Sequence, residues 1–197
     1  MSSLIDLIKS QIGEQAMGAI GKRIGADDAT TRNAIGAALP TMIGAMQRNA
    51  RTPEGARSLE KALDRDHDGG LLDNLQSHFS GQASGRAANG DGIAGHLFGK
   101  QREKIEGGLG QTVGLSQQGM GQLMSMLGPV VLGSLGRQKK AGGFDASGLS
   151  GLLGKERAAI DKKDPQAGSF LGRMFDQDGD GDFDLGDAAT GLFKKFF

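Results

Sequence analysis

The sequence predicts an all-α fold: an internally duplicated helical domain with kinked amphipathic helices, followed by a C-terminal helix-loop-helix. Three observations carry that expectation. Apolar residues recur at three- and four-residue steps along most of the 197-residue chain, the period of helices with one buried face. Two stretches 89 residues apart, the separation of Pro40 from Pro129, keep their glycines, a helix cap and an interior proline in register. Near the C-terminus, Asp176, Asp178 and Asp180 alternate ahead of Gly181, the rhythm of a loop that bends around a cation.

In chain order, Leu4, Ile5, Ile8, Ile12, Ala16, Ile20 and Ile24 share one face, so a first helix is predicted to run to Gly25. Asp27 is placed to cap a second, on which Ile35, Ala38, Leu39, Met42, Ile43 and Met46 recur. Pro40 lies inside that pattern and predicts a kink, because proline removes a backbone donor and crowds the carbonyl four residues back. Thr52 and Pro53 read as a cap and a first helical residue, opening a short helix through Ala56, Leu59 and Leu63. Leu71, Leu72, Leu75 and Phe79 continue as one helical face. Residues 80–90 lack periodicity and form the predicted linker.

Beyond the linker, Asp91 is expected to cap a helix bearing Ile93, Leu97 and Phe98, and Ile105, Leu109 and Val113 mark the next. Ser116 caps a longer helix with Met120, Leu123, Met124, Leu127, Val131 and Leu135. Gly142 and Gly143 break the chain before Leu149, Leu152 and Leu153, and 155–164 reads as a polar helix end or hinge. Residues 166–175 and 185–197 are the predicted helices flanking the cation loop. The predicted division is therefore a domain at 1–163, with copies at 1–79 and 91–163, and an EF-hand-like element at 164–197.

The duplication rests on specific matches. Gly18, Gly21, Gly25, Pro40 and Gly44 fall on Gly107, Gly110, Gly114, Pro129 and Gly133. Ile20, Ile24, Ile43 and Met46 fall on Leu109, Val113, Leu132 and Leu135, and the cap Asp27 falls on Ser116. An interior proline costs a helix about 3 kcal/mol, so finding one at the same register twice points to one unit used twice.

Composition narrows the function. The 23 basic residues balance 23 acidic ones, which argues against a nucleic-acid partner, since such proteins carry a basic excess. With no cysteine there is neither a disulfide framework nor a thiolate site. The first residues, MSSLIDLIKSQIG, lack a basic segment and an unbroken apolar core, and no apolar run spans a bilayer, so a soluble, cytoplasmic protein is expected. Many of the 35 glycines sit inside helical patterns, where each costs about 1 kcal/mol relative to alanine. They imply either close backbone approach between helices or short, frayed helices.

Two aspartate ladders carry the chemistry. In DQDGDGDFDLGD, Asp176 to Asp187, the first, third and fifth positions offer carboxylates and Gly181 supplies the sharp turn. Asp182 lends a backbone carbonyl, Phe183 is the apolar eighth residue, Asp184 stands ninth and Asp187 closes the loop. That is the spacing of an EF-hand, with Ca2+ as the expected ligand. An Asp at the twelfth position, where Glu is usual, shrinks the site toward Mg2+ as the alternative ion. The second ladder, Asp64, Asp66, Asp68 with Gly69, reaches Leu75 at its twelfth place, so Asp73 at the tenth is its nearest closing carboxylate. It is a second metal candidate, with helix capping as the competing role.

No nucleophile–base–orienter set stands out, and no enzyme is expected. His67, His78 and His96 lack metal spacing, and His96 is expected to be packed or capping. Met120, Met124 and Met126 offer either core or an adaptable partner-binding face. A calcium-binding protein with a structural or regulatory role is the leading expectation. The alternative is a protein-interaction or homo-oligomerisation module in which calcium only stabilises the fold.

Three segments carry a resemblance: DHDGG at Asp66–Gly70, HLFG at His96–Gly99 and LGPVVLG at Leu127–Gly133. With them, the chain from the first kinked helix to about Lys163 resembles the YidB-like bacterial family, domain of unknown function 937. The resemblance implies an all-helical fold and supplies no catalytic residues. It does not extend to the Asp176 loop.

Overall fold

The computed structural model describes residues 3–163, and among them every regular element is helical. The chain divides into two compact units, Met1–Arg157 and Ala158–Phe197. The helices are α1 (Leu4–Gln11), α2 (Glu14–Ile24), α3 (Asp28–Asn49), α4 (Pro53–Asp66), α5 (Leu75–Phe79), α6 (Gly90–Phe98), α7 (Arg102–Val113), α8 (Gln117–Gly142) and α9 (Ala146–Lys163). Short 3₁₀ turns lie at Gly70–Asn74, Arg86–Ala88 and Gly99–Gln101.

The first unit is organised around α8. Between Gly119 and Gly136 every residue but Gln122 and Ser125 is buried. A helix covered on all sides has to be apolar on all sides, and from Gln117 to Gly136 no charged residue occurs. Helices α1, α2, α3, α4, α6 and α7 all pack against it. Met120, Met124 and Met126 belong to this core and present no partner-binding face.

Glycine is what brings so many neighbours so close. Gly90, the first residue of α6, rests on the α8 backbone; a Cβ there would stand 1.6 Å from the Ser125 carbonyl oxygen. Gly136 makes the reciprocal contact from α8, where a Cβ would stand 2.0 Å from the His67 carbonyl oxygen. Pro129 explains the first contact. Its ring nitrogen has no hydrogen to return to the carbonyl four residues back, which is that of Ser125, and this carbonyl, deprived of its usual helical donor, is the one that Gly90 meets.

Local chemistry sets the helix ends. Asp27 accepts from the Thr30 amide at 2.7 Å and Ser116 from the Gly119 amide at 3.0 Å, while Thr52 accepts from the Gly55 amide with Pro53 beginning α4. Gly25 and Gly114 close α2 and α7 in the left-handed conformation, at φ 70° and 79°.

Several expected boundaries move. The first predicted helix is two, because Gly13 adopts extended backbone and starts α2 afresh. The face from Leu71 to Phe79 is split where Asn74 leaves helical geometry (φ −141°, ψ 56°), its side chain capping the Ser77 amide. Asn89, not Asp91, caps α6, accepting from the Gly92 amide at 3.1 Å. No hinge appears at 155, since α9 continues to Lys163. The expected linker contains the Arg86–Ala88 turn, with Gly81 and Gly85 at positive φ.

One core polar group has no partner. Thr31 is fully buried on α3, and its hydroxyl is unpaired among the described residues. At the same register in the second stretch stands Met120, an apolar residue. An unsatisfied buried hydroxyl costs about 1–3 kcal/mol. Thr31→Val, which keeps the shape and removes the hydroxyl, is expected to raise stability by about 1 kcal/mol in urea unfolding at unchanged m-value.

Candidate functional site

The Asp176–Asp187 loop lies outside the described residues, so the geometry available is that of the other ladder. Asp64, Asp66, Asp68 and Asp73 lie between the end of α4 and the Gly70–Asn74 turn. Their carboxylates do not converge. Lys139 Nζ donates to Asp64 at 2.6 Å and Lys140 Nζ to Asp68 at 3.0 Å. Arg137 pairs with Asp73, and Asp66 takes its neighbour Arg65 at 2.7 Å. Glu60 lies 4.0 Å from Lys139. Three cations in the last turns of α8 thus face three ladder aspartates, while the Gly136 contact brings the two backbones together.

Electrostatics agree with that commitment. The Gly70 amide, which donates to Asp68 at 3.0 Å, together with Lys140 holds the Asp68 carboxyl below the ordinary carboxylate range. The hydrogen bond from Arg65 does the same for Asp66. Among the described residues no three His, Cys, Asp or Glu side chains are grouped to hold a metal ion. The ladder fastens the α4–α5 connection to α8 through ion pairs that are exposed on the aspartate side, which gives each modest strength.

A second polar cluster joins α6, α7 and α8. Arg102 donates to Glu106 at 2.6 Å and to Asp91 at 2.8 Å, and the Ser125 hydroxyl donates to Asp91 at 2.7 Å. The Arg102 guanidinium, followed by Ser125, lowers the Asp91 pKa, so the carboxylate stays ionised and paired. Glu106 is buried against Gly121, whose missing side chain leaves room for the carboxylate. Each group is satisfied by another, which is the arrangement of a structural tie rather than of a base awaiting a proton.

His96 is not the packed residue expected. His96 is exposed, whereas His67 and His78 are buried. His78 places Nε2 2.8 Å from the Met126 carbonyl oxygen of α8, with the Phe79 ring centroid 5.3 Å away. In α3 the corresponding carbonyl, that of Ala37, accepts from the Thr41 hydroxyl at 2.9 Å. In both helices with an interior proline, then, the carbonyl three residues before it takes a side-chain hydrogen bond.

No helix among the described residues is long and apolar enough to cross a membrane. No curated protein and no solved structure matches the chain. A family of bacterial proteins of unknown function does match, over residues 6–138. The matched region runs from within α1 to the last turns of α8 and takes in both helix-interior prolines, Pro40 and Pro129, with the aspartate turn and the central helix. On that coverage the chain belongs to the family described as bacterial proteins of unknown function (DUF937).

Proposed function

We propose that the protein binds Ca2+ through Asp176, Asp178, Asp180, Asp182, Asp184 and Asp187, in a structural or regulatory role without catalysis. The carrying observation is the loop sequence itself. Carboxylates at its first, third and fifth positions, glycine at the sixth and an apolar eighth residue meet the oxygen-ligand and turn requirements of calcium. An acidic segment without a metal has no need of that glycine or of Phe183. Assigning the ion to this loop rather than to Asp64–Asp73 is supported by the ion pairs of the latter, which a metal would have to displace.

The helical body is the scaffold for that site, and we read it as one unit used twice. Support comes from paired details at the 89-residue separation. Gly25 and Gly114 share the left-handed cap, Asp27 and Ser116 cap through the same i+3 amide, and Ala37 and Met126 share the carbonyl position. A Cβ at Gly21 would stand 2.9 Å from the Ala26 carbonyl oxygen, and one at Gly110 2.8 Å from that of Leu115.

Thermal unfolding with and without calcium tests the metal assignment. A ligand at a hundred times its Kd stabilises the binding state by about 2.7 kcal/mol. Millimolar calcium is therefore expected to raise the melting temperature, EDTA to reverse the rise, and Asp176→Ala with Asp180→Ala to abolish it. A melting curve that ignores calcium would remove the proposal.

A further inference from the structure

His78 is a buried titratable group with no part in the metal reading. A carbonyl oxygen only accepts, so in the bond to Met126 the imidazole carries a proton on Nε2, and its neutral form is the Nε2–H tautomer. The carbonyl it meets is one residue beyond that of Ser125, in the turn of α8 that Pro129 deprives of a backbone donor. His78 thereby pins α5 to the central helix in the turn that leads to Pro129.

The surroundings decide what a second proton on this ring would meet. Helix α5 packs against α2, the Gly70–Asn74 turn and α8. The turn offers Asp73, which is paired with Arg137. From Gln117 to Gly136, α8 offers no charge at all. On α2 stand Glu14, Lys22 and Arg23; Glu14 is nine residues from Arg23, roughly 13 Å along the helix at 1.5 Å per residue. Arg23 is the group whose field reaches the ring, and its guanidinium also lies over Gly81, just after α5. An imidazolium here would be buried, in the field of a cation and, among the described residues, without a carboxylate partner.

We propose that α5 is an acid-released latch: neutral His78 holds it on α8, and protonation of the ring detaches Leu75–Phe79 from the turn of α8 that leads to Pro129. The hydrogen bond to Met126 survives protonation, but the buried charge does not find compensation. Burial, followed in the same sense by Arg23, holds the ring below its ordinary pKa of 6.5 against the opposing pull of the Met126 carbonyl. The sign follows. A depressed histidine pKa favours the neutral folded form, so its contribution is full above pH 6.5 and diminishes as pH falls below that value.

Hydrogen exchange on the full chain reads this directly, because the Ser80, Gly81 and Gln82 amides donate to Gln76, His78 and Ser77 carbonyls and report on whether α5 is formed. After correction for intrinsic exchange, their protection is expected to fall about tenfold or more between pH 7.5 and 5.0 in the wild type. In His78→Gln, where the amide nitrogen replaces Nε2 as a donor that does not titrate, protection is expected to stay constant. Equal protection at both pH values in the wild type, or the same loss in the variant, would overturn the proposal. If the variant does not fold, NMR titration of the wild-type His78 ring decides the matter. A midpoint below 6.5 that the loss of Ser80, Gly81 and Gln82 protection follows upholds the latch; a midpoint at or above 6.5, or protection that does not follow it, refutes it.

Discussion

Gly90→Ala is expected to be among the most destabilising single-methyl additions in the protein. The added Cβ would stand 1.6 Å from the Ser125 carbonyl oxygen and 2.4 Å from its carbon, contacts with backbone that no rotamer relieves. To admit it, α6 has to lift from α8, exposing Ile93, Ala94, Leu97 and Phe98 together. A loss of about 3 kcal/mol or more is expected, at the upper end of overpacking penalties and a large share of a typical 5–15 kcal/mol stability. Gly95 provides the comparison. It lies in the same helix, is exposed, and a Cβ there would meet nothing within 4 Å. Gly95→Ala is expected to stabilise by up to about 1 kcal/mol through helix propensity alone. Urea unfolding of both variants separates close packing from general intolerance of substitution; equal effects would contradict the role given to Gly90.

Leu127→Ala is the second large effect. Leu127 is fully buried at the middle of α8, two residues before Pro129. Truncation removes the transfer free energy of the lost methyl groups and leaves a cavity that helices on every side of α8 are poorly free to fill. The expected cost is about 2–5 kcal/mol. Differential scanning calorimetry is suited to the measurement, and a change under 1 kcal/mol would mean that α8 is not the centre of the core.

These two variants also mark what the sequence makes legible and what it leaves hidden. The periodic apolar residues identify α3, α4, α7 and α8, and the caps at Asp27, Thr52 and Ser116 follow from local hydrogen bonding within three residues. The number of glycines is visible too, but not which of them touch another helix. Gly90 and Gly95 sit in one helix and differ only in what lies across from them, Ser125 in one case and open space in the other. That distinction depends on a partner 35 residues away.

The Asp64 ladder shows the same limit. Its spacing is that of half a metal loop, but whether its carboxylates converge depends on what arrives from elsewhere. Arg137, Lys139 and Lys140 come from the end of α8, more than sixty residues along the chain, and take up the carboxylates one by one. The histidines are illegible for a related reason. His96 falls on the outer face of α6, whereas His78 is buried where α5 packs against α8, its Nε2 2.8 Å from the Met126 carbonyl oxygen. The proposal for the Asp176 loop is of the opposite kind, since an EF-hand draws nearly all its ligands from twelve consecutive residues and such a pattern is readable without any tertiary partner.

The proposal thus divides the labour between a helical body, read as duplicated, and one calcium-binding segment that follows it in sequence. Isothermal titration of the full chain with Ca2+ tests that account most directly. Expected is one saturable site on the wild type, weaker binding of Mg2+, and no binding by the Asp176→Ala, Asp180→Ala variant, with Asp64→Asn and Asp68→Asn leaving the isotherm unchanged. An absence of calcium binding by the wild type, or a loss caused by the Asp64 and Asp68 substitutions instead, would contradict it.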